Sequence, residues 1–138
     1  MKNDNYDGNR VRAHNFNGKQ AFKEGITWNS ISSSRFHCRY LPSGFLFDAA
    51  GPLCEVLDRN NLEYVLGLFS SSVFAFYMQL MNPTMNFPPG YLEIIPYPAP
   101  NAAKAIEVKQ RVKENIEITR NDWNAFETSW GYEKHPLI

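Results

Sequence analysis

The stretch from residue 61 to residue 81 constrains the fold more than any other part of this chain. Apolar side chains recur there three and four positions apart, the spacing that places them on one face of an α-helix. This apolar stripe consists of Leu62, Val65, Leu66, Phe69, Val73, Phe76, Tyr77 and Leu80. The pattern predicts a single helix roughly 30 Å long, with Phe74, Phe76 and Tyr77 in the core of a small domain.

Both ends of this predicted helix carry boundary signals. Asn60 is a predicted N-cap, and Glu63 closes a capping box with it. Asn82-Pro83 ends the helix, because the residue before a proline avoids helical geometry. Glu63, the serines at 70–72 and Gln79 interrupt the apolar run, which favours a buried helix over a membrane span.

Residues 21–57 have the composition of short strands. GITWNSI and RFHCRYL are rich in β-branched and aromatic residues, and Ser32–Ser34 between them is typical turn material. GFLFDAAG, at 44–51, is a predicted third strand, and residues 52–56 are a candidate fourth. YLEII, at 91–95, is also predicted as a strand.

The C-terminal part of the chain is predicted to be helical. Asn101 can cap a helix from Ala102 to about Asn115, and Thr119 with Asp122 forms a capping box for a second, shorter helix. Together with residues 1–18, interpreted as a mobile lead-in or linker, these elements give an α+β fold. A small twisted β-sheet from 21–57 and 91–95 is expected to pack on the long helix, followed by two short C-terminal helices.

Charge is unevenly distributed, although the formal net charge of the chain is zero. Residues 9–43 hold six Lys and Arg against the single acidic residue Glu24, whereas residues 44–101 hold Arg59 against five acidic residues. A locally basic region can contact phosphates even in a neutral chain, and the alternative is an ordinary solvated face.

Three basic or titratable side chains alternate with apolar ones in RFHCRYL. Period two places Arg35, His37 and Arg39 on one face of the predicted strand, and Phe36, Cys38 and Tyr40 on the other. The functional interpretation is contact with phosphates, or bidentate pairing of an arginine with guanine. The alternative is a strand edge protected by charge.

Signals of catalysis or metal binding are weak. Cys38 and Cys54 form no CxxC motif, and no histidine lies at zinc-ligand spacing from both. Asn82-Pro83 is followed by Thr84 and Met85, unlike the Asn-Pro-Pro-aromatic loop of amino-methylating DNA methyltransferases. No Gly-rich loop after a strand is available to hold S-adenosylmethionine. We therefore predict no catalytic, cofactor-binding or metal-binding residue in this chain.

Three segments nevertheless resemble a known enzyme family. They are GITWNSISSSRFHCRYLPSGFLFDAAG, NLEYVLGLFSSSVFAFYMQLMNPTMNF and ITRNDWNAFETSWGYEKHPLI. They resemble the C-terminal half of adenine-specific DNA methyltransferases of the BREX phage-defence type (PglX). More distantly, the strand–helix–IPYPAP order is similar to target-recognition domains of TaqI-like restriction–modification methylases and to type I restriction specificity subunits.

The resemblance, which covers about residues 19–138, implies a role in DNA recognition. Residues 19–100 would form the target-recognition domain, and residues 101–138 a helical extension that docks onto the rest of the enzyme. The expected partners are double-stranded DNA and a catalytic methyltransferase domain on the same or a companion chain. That domain would bind S-adenosylmethionine (SAM), the location would be cytoplasmic, and the fragment itself would not be an enzyme. The candidate DNA-binding residues are Lys23, Ser33, Arg35, His37, Arg39, Asn82, Thr84 and Asn86.

Two alternatives stay open at this point. The polar residues Asn82, Thr84 and Asn86 can read base edges, or they can hold the loop that follows the helix. The chain can also be a protein-interaction module, because residues 102–138 carry six charges of each sign, which fits protein contact better than DNA contact. A nuclease is a third and weaker option.

Overall fold

A computed structural model describes residues 18–99, 101–135 and 137, together with two short strands nearer the N-terminus. These are β1 (Asn5–Tyr6) and β2 (Arg10–Val11), which pair antiparallel. The rest of the predicted lead-in over residues 1–18 lies outside the described residues, apart from residue 18.

A three-stranded antiparallel sheet forms one side of the domain. Its order is β4 (Cys38–Leu41), β3 (Gly25–Trp28) and β5 (Leu53–Cys54). β3 lies in the centre and is buried along its whole length, with Thr27 opposite Arg39 and Trp28 opposite Cys38. The strands predicted in GITWNSI, RFHCRYL and 52–56 are confirmed, as is the α+β class.

The strand predicted over 44–51 is wrong. This segment is a loop, and Asp48 stabilises it by accepting hydrogen bonds from the backbone N–H groups of Ala50 and Gly51 at 2.9 and 2.8 Å. An Asp side chain that binds the backbone two and three residues ahead favours a tight turn over a strand. The apolar composition of this segment concealed that local preference.

The predicted long helix is in fact two helices, α1 (Leu62–Phe69) and α2 (Ser72–Met81), with an angle of 71° between them. Ser71 has extended geometry (ψ 151°), and its Oγ accepts a hydrogen bond from the N–H of Phe74 at 3.1 Å. The same hydroxyl donates to the carbonyl of Leu68 at 2.7 Å. One serine therefore caps the new helix and satisfies an open carbonyl of the old one.

The break sends the two halves of the apolar stripe in different directions. Leu62, Leu66 and Phe69 of α1 are buried. In α2 the buried residues are Phe74 and Met78, which do not belong to the stripe. Phe76 and Tyr77, predicted as core, are exposed, because the turn at Ser70–Ser71 rotates that side of α2 away from the sheet.

The helix start was also misassigned. Asp58, not Asn60, caps the helical turn at Arg59–Asn61 by accepting a hydrogen bond from the N–H of Asn60. Glu63 makes no capping box and instead pairs with Lys113 at 3.4 Å. Asp and Asn are equally good N-caps, and here the cap is Asp58, two positions before the predicted Asn60.

Beyond the helix pair, the predicted strand at 91–95 is a short helix, α3 (Gly90–Ile94). Tyr91 and Leu92 donate their N–H groups to the carbonyls of Pro88 and Pro89, and a proline suits the start of a helix. Local turn formation therefore overrode the β propensity of the aromatic and branched residues.

A single helix, α4 (Ala102–Asn124), replaces the two predicted C-terminal helices. Its predicted cap, Asn101, is confirmed: the side chain accepts a hydrogen bond from the N–H of Ala103 at 3.0 Å. Thr119 starts no new helix, because its hydroxyl donates back to the carbonyl of Asn115 at 2.7 Å within the same helix.

The core lies between the sheet, the helix pair and the loop after α2. It consists of Ile26, Trp28, Phe36, Leu66, Phe69, Phe74, Met78, Phe87 and Ile95. Trp28, in the central strand, is 1% exposed and belongs to this core. Within the described residues, no single helix has the length and apolarity to cross a membrane, although the bent pair α1–α2 has them in combination.

Candidate nucleic-acid interface

Arg35, His37 and Arg39 form an exposed row that runs into strand β4. Phe36, between the first two, is 3% exposed and packs in the core. The alternation predicted from the sequence is therefore confirmed, although the regular strand begins only at Cys38. Anchoring of Phe36 fixes the direction of its two neighbours, because successive side chains in extended chain point to opposite sides.

The row is held by polar contacts at its own end of the sheet. The guanidinium of Arg39 donates to Asn29 Oδ1 at 2.6 Å, and Ser34 Oγ lies 3.4 Å from His37 Nε2. Neither contact involves a carboxylate, so neither neutralises a positive charge of this row, and the guanidinium groups of Arg35 and Arg39 can pair with an external anion.

The serine loop, residues 30–34, is joined to the loop after α2 by a short antiparallel ladder. Ser32 donates its N–H to the carbonyl of Met85 at 2.9 Å, and Phe87 donates its N–H to the carbonyl of Ser30 at 2.6 Å. Ile31 and Asn86 form the bridge between these bonds. The buried indole Nε1 of Trp28 donates to the carbonyl of Phe87 at 2.8 Å and fixes the ladder to the core.

Asn82 and Thr84 organise the loop from within. Asn82 is 7% exposed; its Oδ1 accepts from Thr84 Oγ1 at 2.7 Å, and its Nδ2 donates to the carbonyl of Asn86 at 2.5 Å. Thr84 Oγ1 in turn accepts from the N–H of Asn86 at 3.2 Å. Asn86 itself is exposed. The geometry supports a structural role for Asn82 and Thr84 and leaves the Asn86 side chain at the surface.

The two loops and α2 enclose a cleft of about 240 Å³. Ser33, Arg35, Asn82 and Thr84, all predicted from the sequence, line it together with Gln79. A smaller depression of about 150 Å³ adjoins it and is lined by Arg35, His37 and the serines at 70–72. No carboxylate lines either depression, so a phosphate oxygen there would meet hydroxyls and cations without repulsion.

Lys23 is not part of this cluster. It precedes the opposite end of the β3–β4 ladder, where Gly25 faces Leu41, and its Nζ pairs with Glu55 at 2.6 Å. Glu24, next to it, pairs with Arg59 and accepts a hydrogen bond from the Tyr40 hydroxyl. This end of the sheet is electrically balanced, unlike the end that carries Arg35 and Arg39.

Gln79 and Ser70–Ser72 were missed by sequence reasoning. The helical wheel of α2 places Ser72, Ala75 and Gln79 along one line, three and four residues apart. These small and polar residues could have marked a side of α2 that faces a cleft, once the helix was known to begin at Ser72.

The two thiols are poor nucleophiles at neutral pH. Burial raises the pKa of Cys38 above its ordinary value of 9.0, and the hydrogen-bonding contact with Ser70 only partly offsets this. Burial also raises the pKa of Cys54. Among the described residues, no three His, Cys, Asp or Glu side chains come close enough together to hold a metal ion.

Comparison with known proteins identifies two related sequences. No protein-family model matches the chain. It is 36% identical over 129 residues to the adenine-specific methyltransferase PglX of Lacticaseibacillus casei (strain Zhang). This match covers 94% of this chain and 10% of that protein. It is 34% identical over 139 residues to the adenine-specific methyltransferase BrxX of Escherichia coli O9:H4 (strain HS), covering 99% of this chain and 11% of that protein.

The chain spans about a tenth of the length of these two curated relatives. The matches nevertheless include all the loops and helices that form the cleft, because they cover almost the whole chain. This chain is therefore related in sequence to one segment of adenine-specific methyltransferases.

Proposed function

We propose that this region recognises duplex DNA for an adenine-specific methyltransferase of a phage-defence or restriction–modification system. The observation that carries the proposal is the cleft between the serine loop and the loop after α2, which gathers Arg35, hydroxyl groups and amides without a carboxylate. Such a surface is complementary to a phosphate backbone and offers donors and acceptors for base edges.

The exposure and the hydrogen bonds of each side chain determine its proposed role in DNA binding. Arg35, His37 and Arg39 are exposed on one face, and they set the register on the phosphates. Asn86 and Gln79, which are exposed at the rim of α2 and its loop, test base edges. Asn82 and Thr84 act indirectly, because their bonds within the loop hold Asn86 in place.

Methyl transfer itself is assigned to another part of the enzyme. In nucleotide-binding folds, a Gly-rich turn between a strand and a helix holds the phosphate or donor group. Among residues 18–99 and 101–135, no strand leads through such a turn into a helix. The described residues therefore do not fit S-adenosylmethionine, and we derive no chemical step for them.

DNA binding of the 138-residue chain tests the proposal. We expect duplex binding, measured by fluorescence anisotropy, to weaken at least about tenfold in Arg35→Ala/Arg39→Ala and to fall with salt in the wild type. Loss of two phosphate contacts should also reduce the slope of log K against log salt by about 2.

A matched control changes two cations elsewhere. Lys104 and Arg111 are exposed on α4, far from the cleft in sequence and on a helix that packs against α1. Lys104→Ala/Arg111→Ala should leave affinity and salt slope unchanged. Wild-type affinity in the Arg35→Ala/Arg39→Ala variant would remove our site assignment.

To allow for weak binding by so short a chain, the same variants are placed in the L. casei relative, with this chain substituted for its matching segment. Retained site-specific binding of that chimera, lost with Arg35→Ala/Arg39→Ala, supports recognition. A chimera that binds no site while its fold is intact contradicts it.

A second candidate function is protein interaction through the C-terminal segment. Ile106, Ile118, Trp123 and Phe126 are exposed there, and Trp130 is 93% exposed while it stacks on Phe45 at 6.1 Å. Hydroxyl-radical footprinting distinguishes the two, since DNA should protect the cleft residues and a protein partner should protect these aromatic side chains.

A further inference from the structure

The solvent side of α2 is unusual for an exposed helix face. Val73, Phe76, Tyr77 and Leu80 follow the three- and four-residue spacing of one helical face, and their exposed fractions are 60, 62, 40 and 67%. We call these four residues the outer face of α2. Phe74 and Met78 lie on the buried side of α2, so both the buried side and the outer face of this helix are apolar.

Charge is absent over a long stretch around this face. Residues 64–92, which contain all of α2 and its flanking loop, include no Asp, Glu, Lys, Arg or His. Contiguous exposed apolar patches mark interaction sites, and this one lies on a helix whose buried side is also apolar. Phosphate groups, which need cations, are not complementary to this surface.

A groove of about 260 Å³ extends the outer face. Val73 and Tyr77 form one wall, and the segment Ile95–Pro98 forms the other. The second wall is held in place, because Tyr64 donates to the carbonyl of Pro98 at 3.3 Å and packs edge-on against Tyr97 at 5.8 Å. The groove is therefore already formed and can receive an apolar side chain.

The outer face and the cationic cleft lie on different sides of α2. Ala75 and Gln79 line the cleft, and successive residues of a helix are rotated by about 100°. Ala75 consequently points well away from Val73 and Leu80. The side of Ala75 and the outer face are therefore separate surfaces of α2.

The length of the relatives supplies a candidate for what covers the face. The matching segment makes up only 10 and 11% of the two methyltransferases, so about nine-tenths of each polypeptide lies outside it. We propose that the outer face of α2 and its groove dock onto an uncharged, apolar surface of that remaining methyltransferase polypeptide. This inference rests on the proposed function, because it assumes that the chain works with such a polypeptide.

Binding in trans tests the docking surface. The partner is the L. casei relative with its own matching segment removed, and the 138-residue chain is titrated against it by calorimetry. We expect Phe76→Ser/Leu80→Ser to weaken the complex at least about tenfold, since buried aromatic and aliphatic anchors dominate most interfaces. Absence of any binding by the wild type would overturn the proposal.

The chain offers a control pair of matched exposure. Phe22 and Leu46, which belong to neither proposed surface, are 57 and 68% exposed, against 62 and 67% for Phe76 and Leu80. Phe22→Ser/Leu46→Ser should bind like the wild type. An equal loss in both double variants, or a loss in the Phe22→Ser/Leu46→Ser variant alone, would overturn the assignment to α2.

Footprinting of the wild type keeps the test independent of variant folding. In the complex, hydroxyl-radical oxidation of Phe76 and Tyr77 should fall, while that of the exposed Phe22 should stay at its free level. Unchanged oxidation of Phe76 and Tyr77 would contradict the proposal.

Other occupants are separate outcomes. A wild-type homodimer in sedimentation that Phe76→Ser/Leu80→Ser abolishes would assign the face to a second copy, and binding to phosphatidylcholine vesicles lost in that variant would assign it to a lipid surface. Either would overturn the proposal.

The docking test and the DNA test fail separately. Phe76→Ser/Leu80→Ser should keep the DNA affinity of the wild type, and Arg35→Ala/Arg39→Ala should keep docking. Docking that persists in a chain without DNA binding would support this surface and remove the recognition role.

Discussion

Helices α1 and α2 carry one apolar stripe between them, yet they use it in opposite ways. On α1 the stripe packs against the sheet, and α4 covers a further side of the helix: a Cβ on Gly67 would lie 3.0 Å from Val112 and 3.1 Å from Val108. On α2 the continuation of the stripe faces solvent, and other residues fill the core. Periodicity predicts that a face is apolar, but not which object covers it.

The largest expected effect is a difference in stability between two alanine variants, one at a phenylalanine of α1 and one at a phenylalanine of α2. Phe69 is 8% exposed and Phe76 is 62% exposed. Phe69→Ala should cost about 3–5 kcal/mol of unfolding free energy, because it leaves a cavity next to Phe74, whereas Phe76→Ala should stay within about 0.5 kcal/mol. Urea unfolding of both variants measures this, and equal losses would contradict the comparison.

Gly67 tests the second covered side of α1. The gap that α4 leaves at this position is too narrow for a large side chain. Gly67→Leu should therefore destabilise the fold by about 1–3 kcal/mol through overpacking. Val73→Leu, an enlargement on the exposed side of α2, is the control and should be nearly neutral. A neutral Gly67→Leu in urea unfolding would show that α4 can move away.

Ser71 tests the break itself. Removing its hydroxyl in Ser71→Ala should cost about 0.5–2 kcal/mol, since it caps α2 and satisfies the Leu68 carbonyl. The exposed neighbour Ser72 is the control, and Ser72→Ala should change stability by less than about 0.5 kcal/mol. Thermal unfolding of the pair gives the difference, and identical midpoints would exclude Ser71 as the cap.

The smallest expected effect is a loss of stability at alkaline pH that comes from the two partly buried thiols. Partial burial raises the pKa of Cys38, which contacts Ser70, and that of Cys54 above their ordinary value of 9.0. The unfolded chain then loses these protons first as pH rises, so stability is complete below pH 9 and falls above it.

Unfolding free energies between pH 7 and pH 10.5 check this alkaline slope. Cys38→Ser/Cys54→Ser should reduce it. Tyr40→Phe is the companion variant, because burial and the hydrogen bond to Glu24 raise the pKa of Tyr40 in the same range. A slope unchanged in the cysteine variant would assign the effect to other groups.

The sequence predicted those elements whose local and long-range preferences agree. Period two in RFHCRYL matched the burial of Phe36, and Asn101 capped α4 as expected. It failed where a short polar signal competed with a long apolar one. The hydrogen bonds of Ser71 break the helix that apolar periodicity predicts over residues 61–81. The side-chain bonds of Asp48 make a loop of a segment whose apolar composition predicts a strand.

The candidate cleft was predictable only in part. Arg35, His37 and Ser33 stood out by charge and turn chemistry, because these properties belong to the residues themselves. Their meeting with Asn82, Thr84 and Gln79 depends on the ladder between residues 30–32 and 85–87, which joins segments more than fifty positions apart. No local pattern encodes that pairing, and the isolation of Lys23 at the other end of the sheet has the same origin.

That ladder has a practical consequence for protein engineering. Because the indole of Trp28 and two backbone hydrogen bonds tie residues 30–32 to residues 85–87, neither loop can be redesigned or transplanted alone without leaving peptide groups of the other unpaired. Loop exchange in a protein of this kind requires both segments to be swapped together as a matched pair.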